Sequence, residues 1–388
     1  MCHADHNMLS GRDASDALRR IGRAGPDASE MELLRAATLD VDRAAAAWRR
    51  WIATHTVDDA SHRAADVLPA VSANLPGDVL GAEADRLRGI RRRGWADVQF
   101  RLEVLEEAIG VLDPLGIQPL LCKGAALSTT VYVEPGIRPM SNVDVVVGAE
   151  RFDEVMQAFA AAGWHRPDAD NPFDHAVGLF DPLYRAIAVH RWVLFPRFSA
   201  APESAWMQRS VPHMVRGCDL CRFRCADEMV IAIMHGLLMS GASSVLWPLD
   251  VVQAARRGHE VDGIDPDAFW HEVVESASAI CAGPIVADAL EMCRVELDVS
   301  VPSAAVEQLA GSSVDRDLAQ HWALCRRGVT IEWRIRRYRK LKRHRGERAT
   351  VAGYFGPRYA AMRAKGLGSA VSDRADRVRT IVSDHRRD

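Results

Sequence analysis

The sequence predicts an α+β protein in which a small mixed sheet is flanked by N- and C-terminal helical regions. Three observations predict this class. Apolar residues recur at helical spacing over residues 1–105, short β-branched runs alternate with helical segments over 106–200, and helical spacing returns over 201–330. With 388 residues, of which 48% are hydrophobic, the chain exceeds one typical domain and can bury sizeable cores.

The N-terminal region, 1–105, is predicted to be helical. Between Leu33 and Ile52 the apolar residues recur at spacings compatible with one stripe along a helix. Polar turns follow, and another helical stretch is expected over residues 82–112. The arginines from Arg91 to Arg93 within it are interpreted as a solvated face.

The pattern changes in the next region, 106–200, which is predicted to form the mixed sheet. Its expected elements are the buried strand IQPLLCKG, the helix GAALSTTVY, the β-branched strand NVDVVVG, the amphipathic helix AERFDEVMQAFAAAG, and the paired strands AVGLF and RAIAVHRWVL. Gly163 stands where a C-cap would end the amphipathic helix. This order of strands and helices predicts a compact unit with a small core.

The remainder of the chain is expected to be helical again. Region 201–330 contains the apolar segment ADEMVIAIMHGLLMS and further helical patterns, one of them over 267–293, and region 331–388 is predicted to be a basic helical tail. In the tail, Arg334 to Arg345 holds basic residues with interleaved apolar ones. If helical, this stretch could contact RNA, an acidic lipid surface or an anionic acceptor, although a charge run of this kind is more often a solvated face.

Composition limits the classes of function. The net charge of −3 excludes a protein that is basic over its whole length, as nucleic-acid binders often are. No run approaches the roughly 18–20 apolar residues that cross a bilayer, and the N-terminus lacks the apolar segment of a signal peptide. The eight cysteines are scattered and are expected to be reduced thiols. We therefore expect a cytoplasmic protein without a transmembrane segment.

The segment LLCKGAALSTTVYVEPGIRPMSNVDVVV carries a resemblance to a known family. Lys123 and Gly124 form a lysine–glycine step, Tyr132 ends the helix, Arg138 stands in an arginine–proline turn, and Asp144 lies on the next strand. This pattern resembles the uncharacterised nucleotidyltransferase family of the DNA polymerase β-like superfamily. On the later strand, His190 matches the histidine of a leucine–histidine–tryptophan-like run, and the likeness extends over roughly residues 30–305.

The resemblance implies a nucleotidyltransferase core and the transfer of a nucleoside monophosphate from an NTP to an acceptor. It implies Mg²⁺, with Mn²⁺ as an alternative, held by Asp144 and more weakly by Asn142. Lys123, Gly124 and Arg138 would bind the triphosphate, with the first N–H groups of the helix facing it. The acceptor is left open among a protein, a peptide, a small molecule and a sugar phosphate.

Two positions depart from the family pattern. Asn142 stands where the family usually has its first aspartate, and the acidic position of the later strand falls on Ala188. His190 shares a strand face with Ala188 and could point at Asp144, or it could be a structural histidine of the core. Asp174 and Asp181, in expected turns, are further acids that could substitute.

Other residues permit a functional and a structural interpretation. Cys218, Cys221 and Cys225, with His213, could bind zinc, but their spacing matches no zinc motif. The segment CRFRC alternates like an exposed strand, and reduced thiols on or near this strand are the simpler interpretation. His235 lies in an apolar helix and is interpreted as a core histidine. Asp250 is expected near the start of a helix as an N-cap, with a role in the site implied by resemblance alone.

Two hypotheses about function follow. The first is an NTP-dependent nucleotidyltransferase with a reduced metal site, in which Asp144, Asn142 and His190 are the candidate catalytic residues. The second is a catalytically degenerate nucleotidyltransferase fold that binds a nucleotide or a partner, which the loss of acids at Asn142 and Ala188 favours. RNA binding through the basic tail is a third and weaker hypothesis.

Overall fold

The structure is a computed structural model that describes residues 11–166, 175–194, 201–238 and 245–328. Asp174 and the basic stretch from Arg334 to Arg345 lie outside these residues. The described residues as far as Arg327 belong to one compact unit. Within them, no helix is both long and apolar enough to cross a membrane.

The N-terminal region is helical, as the apolar spacing predicts. Its helices are α1 Gly11–Ile21, α2 Ala28–Thr38, α3 Val41–Ile52, α4 His62–Ala65, α5 Leu68–Asn74, α6 Gly77–Leu80, α7 Ala84–Leu102 and α8 Val104–Leu112. Asp27 begins α2 with a capping box that it shares with Glu30, and the side chain of Asp40 caps α3. These local signals set where the helices start.

The sheet has six strands in the described part of the chain. They are β1 Leu120–Cys122, β2 Val143–Val146, β3 Ala176–Phe180, β4 Ala186–His190, β5 Val211–Val215 and β6 Cys218–Arg222. Their spatial order is β3-β4-β2-β1-β6-β5. β2 runs parallel to β4, β1 runs parallel to β6, and the other neighbours are antiparallel. The α+β class with a small mixed sheet is confirmed.

The expectation of helix after residue 200 is wrong for the hairpin of β5 and β6. This hairpin turns at Arg216 and Gly217, both with positive φ, and β6 extends the sheet by pairing with β1. The strand expected at CRFRC is β6, shifted towards the N-terminus, so that it ends at Arg222. The sheet therefore continues past residue 200, where the sequence pattern placed the end of the core.

Helices cover the rest of the described chain. They are α9 Lys123–Ser128, α10 Phe152–Ala161, α11 Ala201–Gln208, α12 Cys225–Leu238, α13 Leu246–Asp262, α14 Pro266–Ala279, α15 Gly283–Leu297, α16 Ser303–Ala310 and α17 Arg316–Arg326. The long helical pattern over 267–293 is two helices, because Cys281 adopts a positive φ between them.

The two faces of the sheet pack into different cores. Leu121 and Val145 belong to a cluster with residues of α8 and α10, whereas Leu120 and Val146 belong to a cluster with residues of α12 and the helical regions. Successive strand residues point to opposite faces. Asp144, two residues before Val146, consequently lies on the face that is directed towards α12.

Candidate functional site

The candidate site forms on the α12 side of the sheet, where β2 and β4 run side by side. Their register pairs Asp144 with Ala188, and Val146 with His190. Because side chains two residues apart share a face, Ala188 and His190 lie on the same face as Asp144. Ala188 is thus the immediate cross-strand neighbour of Asp144, at the position where the family resemblance places an acid.

The carboxylate of Asp144 is engaged by two side chains of the protein. Its Oδ1 lies 3.3 Å from Nζ of Lys123 and 2.7 Å from Nε2 of His190. Burial acts to raise the pKa of Asp144, but the ammonium of Lys123 and the hydrogen bond from His190 outweigh it and hold that pKa well below its usual range. The side chain, 14% exposed, is therefore an ionised carboxylate with two partners.

Lys123 is held by its backbone as well as by its side chain. It begins α9 with φ at 55°, and its N–H donates to Oε2 of Glu228 at 2.9 Å. This N–H was expected to face a phosphate; instead a buried carboxyl group of α12 accepts it. Burial raises the pKa of Glu228 well above its ordinary value, and its Oε1 has no hydrogen-bond partner among the described residues.

Two histidines complete the buried cluster. Burial and the nearby charge of Lys123 lower the pKa of His190, and these effects outweigh its hydrogen bond to Asp144. Nε2 of the neutral ring donates to the carboxylate, and Nδ1 lies 3.4 Å from the carbonyl oxygen of Trp192. On α12, burial and the charge of Lys123 lower the pKa of His235 to about 3. Both rings are neutral at neutral pH.

Arg138, expected as a phosphate ligand, forms an ion pair with the carboxylate of Asp250. Its Nε and Nη2 donate to the two oxygens of Asp250 at 2.7 and 2.8 Å, and Nη1 donates to the carbonyl of Pro139 at 3.3 Å. The hydroxyl of Tyr132 also donates to Asp250, at 2.7 Å. Asp250 is buried in the second turn of α13, so the expectation that it is an N-cap is wrong.

Gly124 has a different partner from the one that its sequence context suggested. A Cβ built at this position would lie 2.5 Å from Nη1 of Arg138. The glycine therefore admits the guanidinium of Arg138 close to the backbone of α9, in the place where a phosphate was expected.

Asn142, the second predicted metal ligand, precedes β2 by one residue. Its Oδ1 accepts a hydrogen bond from Oγ of Ser141 at 2.8 Å. The amide oxygen that would approach a cation is thus engaged by the preceding residue, and the side chain is half-buried.

The described residues do not fit the pair of magnesium ions that the fold family implies. Mg²⁺ prefers several hard oxygen ligands, but Asp144 faces an alanine across the sheet, and its Oδ1 already receives Lys123 and His190. Within the described parts of the chain, no group of three or more histidine, cysteine, aspartate or glutamate side chains is arranged to hold a metal. Among the residues of β2 and β4, only Asp144 carries a carboxylate.

The other acidic and sulfur candidates have structural partners. Asp181 accepts from the Nε of Arg185 at 2.6 Å and from two backbone N–H groups, so it orders the turn between β3 and β4. Nε2 of His213 lies 2.9 Å from Oγ1 of Thr129, away from any zinc-like cluster in the described residues. The thiol of Cys225 accepts from Nη1 of Arg222 at 3.7 Å.

Glu228 is the member of the cluster that the sequence interpretation missed. It and His235 are seven residues apart on α12, a spacing that places two ionisable side chains on one face of a largely apolar helix. That spacing was the available signal. The spacing could not show that Glu228 accepts a hydrogen bond from the backbone N–H of Lys123.

Comparison with known proteins supports the family resemblance seen in the sequence. No curated protein matches the sequence. The family described as uncharacterised nucleotidyltransferase matches residues 62–298, which is more than half of the chain and includes every member of the cluster above. The chain belongs to this family of uncharacterised nucleotidyltransferases.

Proposed function

We propose that this chain uses the nucleotidyltransferase fold to bind a nucleoside triphosphate and does not carry out two-metal nucleotidyl transfer. One observation carries the proposal. The carboxylate of Asp144 has Ala188 as its cross-strand neighbour, and the protein's own Lys123 and His190 contact it. The catalytically degenerate form of the fold is the hypothesis that this geometry favours.

The charges of the cluster support the proposal. Lys123 balances Asp144, and Arg138 balances Asp250. The lowered pKa values of His190 and His235 make these rings neutral, and the raised pKa of Glu228 favours its uncharged form. The carboxylates of Asp144 and Asp250 are each already balanced by a cation of the protein, so they offer no unbalanced negative charge to two magnesium ions.

A nucleotide is the ligand that the family assignment favours. The ammonium of Lys123 supplies a point charge of the kind that binds phosphate groups, and it lies beside the partly exposed carboxylate of Asp144. Arg138 adds a second positive charge near the same face, although its donors are held by Asp250. Lys123 is therefore the proposed phosphate ligand.

A second candidate function is the nucleotidyltransferase activity itself, with Mg²⁺ or Mn²⁺ and a peptide or small molecule as acceptor. The observation that favours it is the retention of Asp144 as an ionised, partly exposed carboxylate on the expected strand. In this case Asp144 would be the principal metal ligand, Asn142 the weaker one, and His190 a residue that orients the carboxylate.

Restoring the missing carboxylates separates the two functions. We expect the wild-type protein to release no more pyrophosphate from any of the four NTPs, with Mg²⁺ or Mn²⁺, than Asp144→Ala does. Asn142→Asp combined with Ala188→Glu should increase this release, because the register places residue 188 beside Asp144. Ala188→Gln is the matched control for size without charge. Metal-dependent release by the wild type that Asp144→Ala abolishes would establish the enzyme instead.

A further inference from the structure

We propose that Lys123 is a built-in counter-ion that takes the place of the divalent metal at Asp144, so that this site binds the phosphate of a nucleotide without a metal ion. The inference deepens the proposed function and depends on it for the nucleotide. The assignment of the cation position is tested without any nucleotide.

The ammonium of Lys123 lies beside the carboxylate that would bind a metal ion. Nζ of Lys123 lies 3.3 Å from Oδ1 of Asp144 and 3.4 Å from Nε2 of His190. A magnesium ion bound by the same oxygen would lie about 2.1 Å from it. It would then stand a few ångströms from a fixed positive charge, in a setting where solvent screens little.

Lys123 cannot easily leave its position beside Asp144. A surface lysine can swing aside when a metal arrives, but this residue is only 8% exposed. Its backbone adopts a left-handed conformation, and its N–H is fixed by the buried carboxyl group of Glu228. The backbone of Lys123 is therefore held in place by Glu228, and its side chain ends at the carboxylate of Asp144.

The charges at Asp144 and Lys123 are balanced without a metal ion. Relative to the family pattern, Asn142 and Ala188 remove two negative charges near Asp144. One carboxylate remains, and one ammonium neutralises it. With further carboxylates on the same face, a single lysine would leave an excess of negative charge that a divalent ion could neutralise; here no such excess exists.

The test measures binding of Mn²⁺ alone, by the loss of the electron paramagnetic resonance signal of the free ion. We expect the wild type and Asp144→Asn to bind Mn²⁺ identically, because the wild-type site admits no metal. Lys123→Met combined with Ala188→Glu should gain a site at least tenfold tighter than any in the wild type. Lys123→Arg combined with Ala188→Glu is the matched control that keeps the positive charge, and it should bind Mn²⁺ at least tenfold more weakly than the Met version.

Two results would overturn the assignment. One is saturable Mn²⁺ binding by the wild type that Asp144→Asn removes, a comparison that requires no change at Lys123. The other is equal Mn²⁺ binding by the Met and Arg versions of the Ala188→Glu protein when circular dichroism shows both to be folded. If these metal results are as expected but no NTP binds, the proposed function fails and the assignment of the cation position stands.

Discussion

Gly124 lies where the backbone of α9 meets the guanidinium of Arg138, and its missing side chain leaves room for that contact. We predict that Gly124→Ala lowers the free energy of unfolding by about 1–3 kcal/mol, because the added Cβ would lie 2.5 Å from Nη1 of Arg138. Urea denaturation measures the change. Gly110→Ala is the matched control, because its Cβ would meet nothing within 4 Å on α8, and it should be neutral or stabilising. Equal effects of the two changes would contradict the packing described at Gly124.

His213 gives the stability a dependence on pH. Burial, with a smaller contribution from Arg222, lowers its pKa from 6.5 to about 4. The unfolded chain therefore takes up a proton at higher pH than the folded protein does, so stability is lost as pH falls from 6.5 towards 4. Between pH 7.5 and 5 we expect this residue to account for about 1 to 2 kcal/mol of that loss.

The measurement is urea denaturation at both pH values on the wild type and on His213→Gln. Glutamine keeps a polar group near Thr129, the partner of His213, but does not titrate. The variant should lose less stability on acidification than the wild type does. An identical loss in both proteins would mean that His213 titrates normally in the folded state.

From the sequence, the position of His190 beside Asp144 could be predicted. A period of two along β4 is enough to place His190 on the face of Ala188, and the parallel register with β2 then brings it to Asp144. Nothing local could show that Lys123 points at the same carboxylate or that Glu228 accepts its backbone N–H. Those contacts join residues 21 and 105 positions apart and depend on how α12 packs on the sheet.

Among the elements, the turn that carries Arg138 and helix α13 are joined by a buried ion pair. The side chains of Arg138 and Asp250 are 13% and 2% exposed. We predict that Arg138→Met lowers the free energy of unfolding by about 3–5 kcal/mol, because it leaves the carboxylate of Asp250 buried without its partner. Adding Asp250→Leu should restore part of that loss, since no unpaired charge then remains. Urea denaturation of the wild type and of these two variants measures both changes.

The matched control for this pair is Arg151 with Glu154, whose side chains are about half exposed at the start of α10. Glu154→Gln should leave the urea midpoint unchanged within error, because solvent screens an exposed pair. If Arg138→Met were as mild as this change, the Arg138–Asp250 pair would not be a structural link, and the phosphate-binding role of Arg138 would regain support.

The sheet shows where local patterns predict an element and where they do not. β2 is a β-branched run, and its strand state follows from composition. Strand β5 and the place of β6 in the sheet were missed, because β6 pairs with β1, about 100 residues earlier in the sequence. Likewise, the role of Asp250 is set by Arg138 and Tyr132, which lie far from α13 in sequence.

For the whole molecule, the helices at the two ends of the described chain share one core. Trp48 of α3 and Leu290 of α15 are buried in the same cluster, Arg35 forms an ion pair with Glu296, and Arg256 donates to the carbonyl of Thr38 at 2.5 Å. The N- and C-terminal helical regions are therefore parts of one packing unit.

We predict that a chain lacking residues 1–105 does not fold, because it exposes the apolar surface that α2 and α3 cover. Circular dichroism should show no cooperative thermal transition for it. A chain that ends at Gly328, which keeps all of the described residues, should melt in one cooperative transition close to that of the full chain. Cooperative melting of the chain without residues 1–105 would show that the C-terminal region folds independently.

The central claim is that this family member binds a nucleotide at a site where Lys123 has replaced the metal. Calorimetric titration with ATP, GTP, CTP and UTP, in Mg²⁺ and again in a chelator, tests it most directly. We predict that at least one NTP binds, that its affinity is unchanged by the chelator, and that Lys123→Met weakens it at least tenfold while Lys123→Arg weakens it less. Binding that requires Mg²⁺ and is lost in Asp144→Ala, or no binding of any NTP, would contradict the claim.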